Sequence, residues 1–246
     1  MPKVLVGVPT YNGQVDARQA LYLFAARRDN LITDVRTRSL SLLAYCFNSL
    51  WCEALNDKTY DYFLLLHADI VPTAPIGWLS KLIQEATNAR ADLLSAVVPI
   101  KNQDGLTSTA LQTEQHAIPR RLTLHEVMQL PATFAAADVA KQFGYPDDTA
   151  QQLLVNTGCM LMDLRRNRDK WEQMYFRITD RIEKRNGKFV PLVDPEDWDF
   201  SRQAHAQGLK VAVTRAVTLL HNGSADYSSA GVWGNLEHDT LENIGV

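Results

Sequence analysis

Acidic and imidazole side chains directly follow apolar runs at two points in the sequence. Asp69 comes after the run Tyr60–Leu66, with His67 two residues before it, and His221 follows the run Val217–Leu220. A carboxylate at a strand end can ligate Mg²⁺ or Mn²⁺ while the metal bridges substrate phosphates. Asp69, His221 and His67 are therefore candidate metal ligands. In the alternative interpretation Asp69 caps a turn, His67 is a hydrogen-bonded core residue and His221 ends its strand.

A second cluster of acids lies in Asp194–Phe200, which carries four carboxylates in six positions. This density makes Glu196 or Asp197 a candidate general base. The segment also has the pattern of a helix start, with Asp194 as the N-cap residue and Pro195 at the first helical position. Both interpretations can hold, because a helix that begins at a cleft can aim a first-turn acid at a substrate hydroxyl.

Strand-like and helix-like segments alternate along the chain. Short apolar runs predict strands at Lys3–Pro9, Tyr60–Leu66, Asp92–Val98, Leu153–Met162 and Lys210–Thr214. Helical patterns cover Arg36–Ala54, Trp78–Ala89, Thr133–Phe143, Asp163–Arg185 and Pro195–Gln207. The alternation predicts an α/β protein with a mainly parallel mixed sheet and helices on both faces.

Ligands of such sheets bind beyond the carboxyl ends of the strands. Polar residues interrupt or follow apolar runs at Pro9–Thr10–Tyr11–Asn12, His67–Ala68–Asp69 and Asn156–Thr157–Gly158. No repeat, low-complexity tract or linker marks a boundary, which predicts one domain over residues 1–246. The polar segment 221–246 is predicted to be a long loop or lid.

Composition and missing motifs narrow the function classes. The 246 residues are 46% hydrophobic and 22% charged with a net charge of −3, which is typical of a globular protein and argues against a broad nucleic-acid surface. No GxGxxG, P-loop, GxSxG or HExxH motif is present. The chain begins directly with a strand pattern, and no apolar stretch approaches the roughly 18 residues that span a bilayer. We therefore expect a cytoplasmic protein.

The ordered motifs resemble those of GT-A-fold glycosyltransferases, especially the family-2-like group. They are Val6–Gly13, His67–Ala68–Asp69, Asn156–Thr157–Gly158, Glu196–Phe200 and His221–Gly223, and they cover most of the chain in the expected order. The resemblance implies a single-domain, Rossmann-like GT-A fold. It also implies that the nucleotide pocket is lined by Pro9, Thr10, Tyr11 and Asn12.

The resemblance assigns further roles. Asp69 matches the metal-binding last acid of an Asp-x-Asp motif, whereas His67 stands where the first Asp usually is, with Ala68 between them. The Glu196–Asp197 element matches the acid that deprotonates the acceptor hydroxyl, and His221 matches a histidine that completes the metal site. Further candidate contacts to the nucleotide sugar are His67, Ala68, Asn48, Lys101, Asn156, Gly158 and Trp198.

Two of these contacts have alternative interpretations. Lys101 is either a phosphate contact or an exposed loop lysine. Trp198 is either part of a stacking platform for a sugar or base, together with Tyr227 and Trp233, or a core residue of its helix.

The sequence as a whole predicts a metal-dependent glycosyltransferase that uses Mn²⁺ or Mg²⁺. It would move a sugar from a nucleoside-diphosphate sugar to a hydroxyl on a glycan, lipid, protein or modified nucleic-acid base. One alternative is a nucleotidyltransferase, although such enzymes usually have a glycine- and basic-rich loop after the first strand, and here no Lys or Arg precedes Arg18 in that loop. The other is a catalytically silent nucleotide-sugar-binding module, which His67 in place of an acid suggests.

Overall fold

A seven-stranded mixed sheet forms the centre of the protein, in a computed structural model that describes residues 1–27, 29, 31–113, 116–145 and 151–234. In spatial order the strands are β2 (Ile32–Ser39), β1 (Lys3–Thr10), β3 (Tyr62–Leu66), β10 (Cys159–Asp163), β5 (Leu93–Ala96), β13 (Val211–Thr214) and β8 (Thr133–Phe134). Five strands run in one direction, while β10 and β8 are antiparallel to their neighbours. The architecture is mixed α/β and Rossmann-like.

Helices cover both faces of this sheet. Within the described residues they are α1 (Ala17–Ala26), α2 (Leu43–Asn56), α3 (Trp78–Ala89), α4 (Leu124–Gln129), α5 (Ala136–Phe143), α6 (Arg168–Trp171) and α7 (Glu196–Ala206). Because side chains alternate between the two faces of a strand, the sheet divides the core in two. Leu5 and Leu65 pack with α2 and α7 on one face, and Val4 and Val6 pack with α1 and α3 on the other.

Three smaller sheets accompany the central sheet within the described ranges of the chain. One has the order β15 (Asp226–Ser228), β14 (Leu219–Asn222), β4 (Ile70–Pro72), and another has the order β7 (His116–Thr123), β6 (Leu106–Thr113), β9 (Gln152–Leu154). The third is a hairpin of β11 (Thr179–Arg185) and β12 (Lys188–Asp194). His221 of β14 pairs with Ile70 of β4. Because Ile70 directly follows Asp69 in the sequence, this pairing places His221 close to Asp69.

Two predicted helices are partly strands. The helix predicted from Arg36 begins only at Leu43, and the preceding residues form the edge strand β2, whose alternating β-branched and polar residues suit a half-exposed edge. The helix predicted over Asp163–Arg185 is wrong beyond α6, because β11 pairs with β12. Between those strands Asn186 and Gly187 have φ values of 49° and 81°, the left-handed conformations of a two-residue hairpin turn.

Three further predictions need correction. The single strand predicted over Leu153–Met162 is two strands in different sheets, β9 and β10. The helix predicted over Thr133–Phe143 begins at Ala136, after the edge strand β8. The predicted loop 221–246 begins inside the β14–β15 hairpin, and residues 235–246 lie outside the described part of the chain. Among the residues that the structure describes, none of the helices has the length and apolar character that crossing a bilayer requires.

Candidate functional site

The structure brings the three polar strand ends together at one edge of the central sheet. β1 and β3 are parallel neighbours, so Pro9–Asn12 and His67–Asp69 leave the sheet on the same side. β10 is antiparallel to β3, so the residues just before Cys159 lie beyond the carboxyl end of β3. There the His67 N–H donates to the Gly158 carbonyl over 2.9 Å.

A cleft of about 540 Å³ opens at this edge, a volume typical of small-molecule sites. Its lining includes seven predicted site residues: Pro9, Thr10, Tyr11, Asn12, His67, Ala68 and Asp69. The rest of the lining is formed by Gln14, Val15, Asp16, Leu40, Ser41, Leu43, Cys46, Asn222 and Gly223.

The loop after β1 is held in a compact turn. The Thr10 hydroxyl donates to the Arg38 carbonyl and accepts the Gly13 N–H, each over 3.2 Å, and the Asn12 side-chain carbonyl accepts the Gln14 N–H over 3.1 Å. The Tyr11 side chain is 82% exposed at the cleft. The hydrogen-bonded backbone of this loop therefore holds the Tyr11 ring in an exposed position at the cleft.

Asp69 is held by two partners from distant parts of the chain. Its Oδ2 forms an ion pair with the Lys101 ammonium and lies 3.6 Å from His221 Nε2. Burial alone raises the pKa of Asp69, but the hydrogen bonds from His221 and Lys101 outweigh burial and hold that pKa well below its usual range. Asp69 is therefore an anion throughout the physiological pH range.

The orientation of His221 is fixed by the backbone. Its Nδ1 lies 2.7 Å from the Pro99 carbonyl oxygen, and because a carbonyl only accepts, Nδ1 carries the hydrogen. The other ring nitrogen, Nε2, faces the Asp69 carboxylate. Metal-ligating histidines are commonly oriented by such a bond from the other ring nitrogen. Asp69 and His221 thus present an oxygen and a nitrogen that fit a divalent cation such as Mn²⁺.

The structure does not bring His67 into this pair. Within the described ranges, no group of three or more His, Cys, Asp or Glu side chains is placed to hold a metal. The His67 ring packs against Phe47 with centroids 5.2 Å apart, and burial lowers its pKa to about 4. Its buried Nε2 has no hydrogen-bond partner among the described residues. His67 is thus a neutral ring that lines the cleft.

Glu196 and Asp197 begin α7 beyond the third strand end, outside the lining of the cleft. Thr157 precedes Gly158, the partner of His67, and its side chain partly offsets the effect of burial on the pKa of Glu196. Burial raises the pKa of Glu196. Burial and the neighbouring charge of Glu196 raise the pKa of Asp197 to about 7, against the opposing effects of the Trp198 N–H and Arg121. A carboxyl that titrates near neutral pH is suited to general base catalysis.

The predicted cap of α7 is wrong. Pro195 occupies the N-cap position without a side-chain hydrogen bond, and Asp194 is the last residue of β12. The Asp194 carboxylate instead forms an ion pair with Arg202, two turns along α7. The strand therefore runs to the residue before the cap, which the sequence pattern of a helix start did not indicate.

Asn48 has a structural role away from the cleft. Its side-chain amide donates to the Phe176 carbonyl over 2.7 Å, and its side-chain oxygen accepts the Phe176 N–H over 2.8 Å. Both polar groups of the side chain thus join α2 to the segment before β11. The structure does not place Asn48 among the residues that line the cleft.

We expect Asn48→Ala to lower the free energy of unfolding by about 1–3 kcal/mol, because two partly buried backbone groups lose their partner. Nucleotide affinity should not change. Denaturant unfolding and calorimetric titration measure the two effects, with Asn88→Ala on the exposed side of α3 as the matched control. A loss of nucleotide affinity with unchanged stability would contradict this assignment.

Trp198 is a core residue and not a stacking platform. It is 3% exposed, packs with Ala110 and Leu154, and donates from Nε1 to the Ser108 carbonyl over 3.3 Å. The Arg121 guanidinium lies 4.6 Å from its ring centroid. These contacts leave no open face of the indole for a sugar.

Among the other predicted contacts Asn156 and Gly158 are buried, and Tyr227 and Trp233 are half-buried. Asn156 donates to the Ala96 carbonyl over 3.1 Å, and a Cβ on Gly158 would lie 3.1 Å from Asn156 Oδ1, so both residues pack within the strand-end loop. The Tyr227 and Trp233 rings lie 5.5 Å apart, and Trp233 Nε1 donates to the Ser228 carbonyl over 2.6 Å. This aromatic pair forms part of the packing around β15.

The sequence analysis did not predict a polar network that lies beside the cleft. Asp16 caps α1, and its carboxylate accepts from Arg18 and from the Asn222 amide, 2.6 Å away. Arg18 holds the pKa of Asp16 at about 2. Asn222 also donates its backbone N–H to the Asp69 carbonyl over 2.8 Å, and Gln19 donates to the carbonyls of His67 and Ile70. The N-cap position of Asp16 is the signal that marks this segment in the sequence.

Fold and site define a mixed α/β protein with a Rossmann-like sheet and a ligand-sized cleft at the carboxyl edge of that sheet. No protein-family model matches the sequence, and no curated protein matches it. Among solved structures the chain is similar to A197 from STIV, with 13% identity and a TM-score of 0.53 over 97% of this chain and 96% of that one. At this identity the similarity shows a shared overall fold.

A second solved structure is S. aureus TarS, residues 1–349, in complex with UDP-GlcNAc. It has 14% identity and a TM-score of 0.40, over 92% of this chain and 57% of that one. A TM-score this low establishes neither a shared fold nor a shared activity.

Proposed function

We propose that the chain is a metal-dependent glycosyltransferase of the GT-A type that moves a sugar from a nucleoside-diphosphate sugar to a hydroxyl acceptor. The observation that carries this proposal is the arrangement around Asp69. An ionised carboxylate lies 3.6 Å from Nε2 of an imidazole that the Pro99 carbonyl orients, beside a cleft of ligand size. Such a pair suits a cation that binds together with phosphates.

The donor would lie in the cleft between the loop after β1 and the loop after β3. Thr10 and Asn12 order the first loop, and Tyr11 offers its exposed ring to a base. Asp69 and His221 would hold Mn²⁺ or Mg²⁺, with donor phosphates and water as the remaining ligands, as is common for these ions. The bound cation would neutralise the charge that develops on the departing diphosphate.

Asp197 is the proposed base. Its carboxylate takes the proton of the acceptor hydroxyl while that oxygen forms a bond to the anomeric carbon of the sugar. The bond from the anomeric carbon to the diphosphate breaks, and the nucleoside diphosphate leaves with the bonding electron pair. Burial, together with like-charge repulsion from Glu196, raises the pKa of Asp197, which matches the proton affinity of this carboxylate to neutral pH.

A panel of nucleoside-diphosphate sugars tests the proposal, with binding measured by calorimetry and product release by chromatography, each with and without Mn²⁺. We expect one donor to bind with the metal and to release its nucleoside diphosphate slowly to water. Release of pyrophosphate from a nucleoside triphosphate and a sugar phosphate would favour a nucleotidyltransferase. Tight binding without hydrolysis or transfer would favour a silent binding module.

Lys101 and a metal compete for the same carboxylate. The aliphatic part of the Lys101 side chain packs over Gly223, where an added Cβ would lie 3.0 Å from Lys101 Cδ. The Lys101 ammonium binds Asp69 Oδ2. Partly exposed ion pairs are worth about 0.2–1 kcal/mol, so we expect Lys101→Met to bind Mn²⁺ alone about 1.5- to 5-fold more tightly. Titration of free Mn²⁺ by electron paramagnetic resonance measures this.

The matched control is Lys141→Met, an exposed lysine of α5. Its affinity for Mn²⁺ should equal that of the unaltered protein. Equal affinities in all three proteins would mean that the metal does not bind at Asp69.

A further inference from the structure

The β11–β12 hairpin exposes an apolar face. Within the described residues its two strands pair only with each other, and they join through the turn Asn186–Gly187. An isolated two-stranded hairpin is marginally stable in water, so an apolar face on it is normally covered by another surface.

The strand register defines which side chains share that face. Directly opposed residues point to the same side, and the register pairs Ile182 with Pro191, Lys184 with Phe189 and Asp180 with Val193. Ile182 and Phe189 are 73% and 75% exposed, and Pro191 and Val193 are also exposed. We call Ile182, Phe189, Pro191 and Val193 the hairpin face.

Cations surround the tip of the hairpin face. Lys184 lies on the face itself, with its ammonium 5.7 Å from the centroid of the Phe189 ring. Arg185 and Lys188 are opposed to each other beside the turn, on the other side of the strands. The acid nearest to the tip, Glu183, points to the opposite side and is bound by Arg181 and Arg185. The tip therefore combines exposed apolar side chains with net positive charge.

We propose that the hairpin face docks on an anionic lipid bilayer. Ile182 and Phe189 enter the boundary between head groups and acyl chains, while Lys184 on the same face and Lys188 beside the turn contact lipid phosphates. Apolar insertion with flanking cations is the general mode of binding in the membrane interface.

The size and chemistry of the face favour a bilayer over a macromolecule. A stable protein interface buries roughly 800 Å² on each partner, and four side chains on a narrow hairpin offer much less. The aliphatic side chains of Ile182, Pro191 and Val193 give no favourable contact to a polynucleotide backbone, whose affinity for proteins is mainly ionic. A bilayer needs no complementary shape and supplies hydrocarbon and anions side by side.

Docking would also orient the candidate acids. β12 ends at Asp194, and α7 with Glu196 and Asp197 follows after Pro195. A docked hairpin therefore ties the start of α7 to the membrane surface. The docking inference does not depend on the proposed function, because it concerns binding alone.

Vesicle co-sedimentation tests the proposal with the full chain and no donor. We expect binding to phosphatidylcholine vesicles that contain phosphatidylglycerol, weaker binding to phosphatidylcholine alone, and weaker binding at high salt. Ile182→Ser with Phe189→Ser should reduce affinity about tenfold or more, because the inserted apolar area is lost. Lys184→Glu with Lys188→Glu should remove the preference for anionic vesicles.

The matched control replaces exposed apolar side chains elsewhere. Leu21 and Phe24 of α1 are 66% and 67% exposed, and Leu21→Ser with Phe24→Ser should bind vesicles like the unaltered chain. Failure of the unaltered chain to bind anionic vesicles at low salt would overturn the proposal, as would equal binding by the Ile182/Phe189 variant. A dimer in sedimentation velocity that this variant abolishes would also overturn it, because a second copy would then cover the face.

Discussion

Asp69→Asn should lower turnover of the nucleotide-sugar donor by about 10³-fold or more. A bound cation contributes several kcal/mol of charge stabilisation to the departing diphosphate, and each 1.36 kcal/mol corresponds to a factor of ten in rate. Asparagine keeps the shape of the side chain but removes the charge that attracts both Lys101 and a metal. Steady-state release of nucleoside diphosphate in the presence of Mn²⁺ measures the effect.

The fold should survive this substitution. The Asp69 side chain is partly exposed, and the backbone carbonyl that accepts the Asn222 N–H is unchanged. We therefore expect native circular dichroism together with loss of Mn²⁺ binding. Asp169→Asn, at an exposed carboxylate of α6, is the matched control and should retain full turnover. Metal-dependent turnover that persists in Asp69→Asn would contradict the assignment.

Asp197→Asn should lower kcat by about 10²–10⁴-fold, the usual contribution of a positioned general base. In the unaltered protein kcat should rise with pH and level off above about 7, because Asp197 accepts a proton only when ionised and its pKa is raised to about 7. The residual activity of the variant should lack this titration. A pH series of single-turnover rates measures both effects.

The stability of Asp197→Asn distinguishes loss of the general base from damage to the fold. Because the pKa of Asp197 is raised by folding, its contribution to stability is full below the ordinary pKa near 4 and is lost as pH rises through about 7. The asparagine side chain of the variant does not ionise, so at pH 8 the variant should be at least as stable as the unaltered protein. Each kcal/mol gained corresponds to about 2–4 °C in Tm for a chain of this size. A lower Tm at pH 8 would show that the lost activity reflects structural damage.

Buried strands were predictable because their signal is local. The run Tyr60–Leu66 and the break at His67–Asp69 mark both the position and the end of β3, and the helix Trp78–Ala89 is confirmed at both bounds. These elements are determined by burial of their own side chains, which composition and spacing reveal.

Several of the missed elements lack such burial, although the buried strands β4 and β6 were missed as well. β2 is an exposed edge of the central sheet and β11 lies outside that sheet, so the alternating polar residues of these two strands resembled helix surface more than strand. The Asn186–Gly187 pair was the local signal for the hairpin.

Seven of the predicted site residues line one cleft, but the contacts between site residues were not predictable from the sequence. The roles of Asp69 and His221 as metal ligands remain predictions, yet their proximity follows from the pairing of β4 with β14, which joins segments about 150 residues apart. No local pattern specifies that Lys101 binds Asp69, that Asn48 binds Phe176, or that Asp16 binds Asn222. Long-range contacts depend on the register of the whole fold, so they require the structure.

Calorimetric titration of nucleoside diphosphates, with and without Mn²⁺, tests the central claim most directly when the unaltered protein and Asp69→Asn are compared. We expect at least one nucleoside diphosphate to bind the unaltered protein more tightly with Mn²⁺, and this gain to vanish in Asp69→Asn. Failure of every nucleoside diphosphate to bind, or an equal gain from Mn²⁺ in both proteins, would contradict the account.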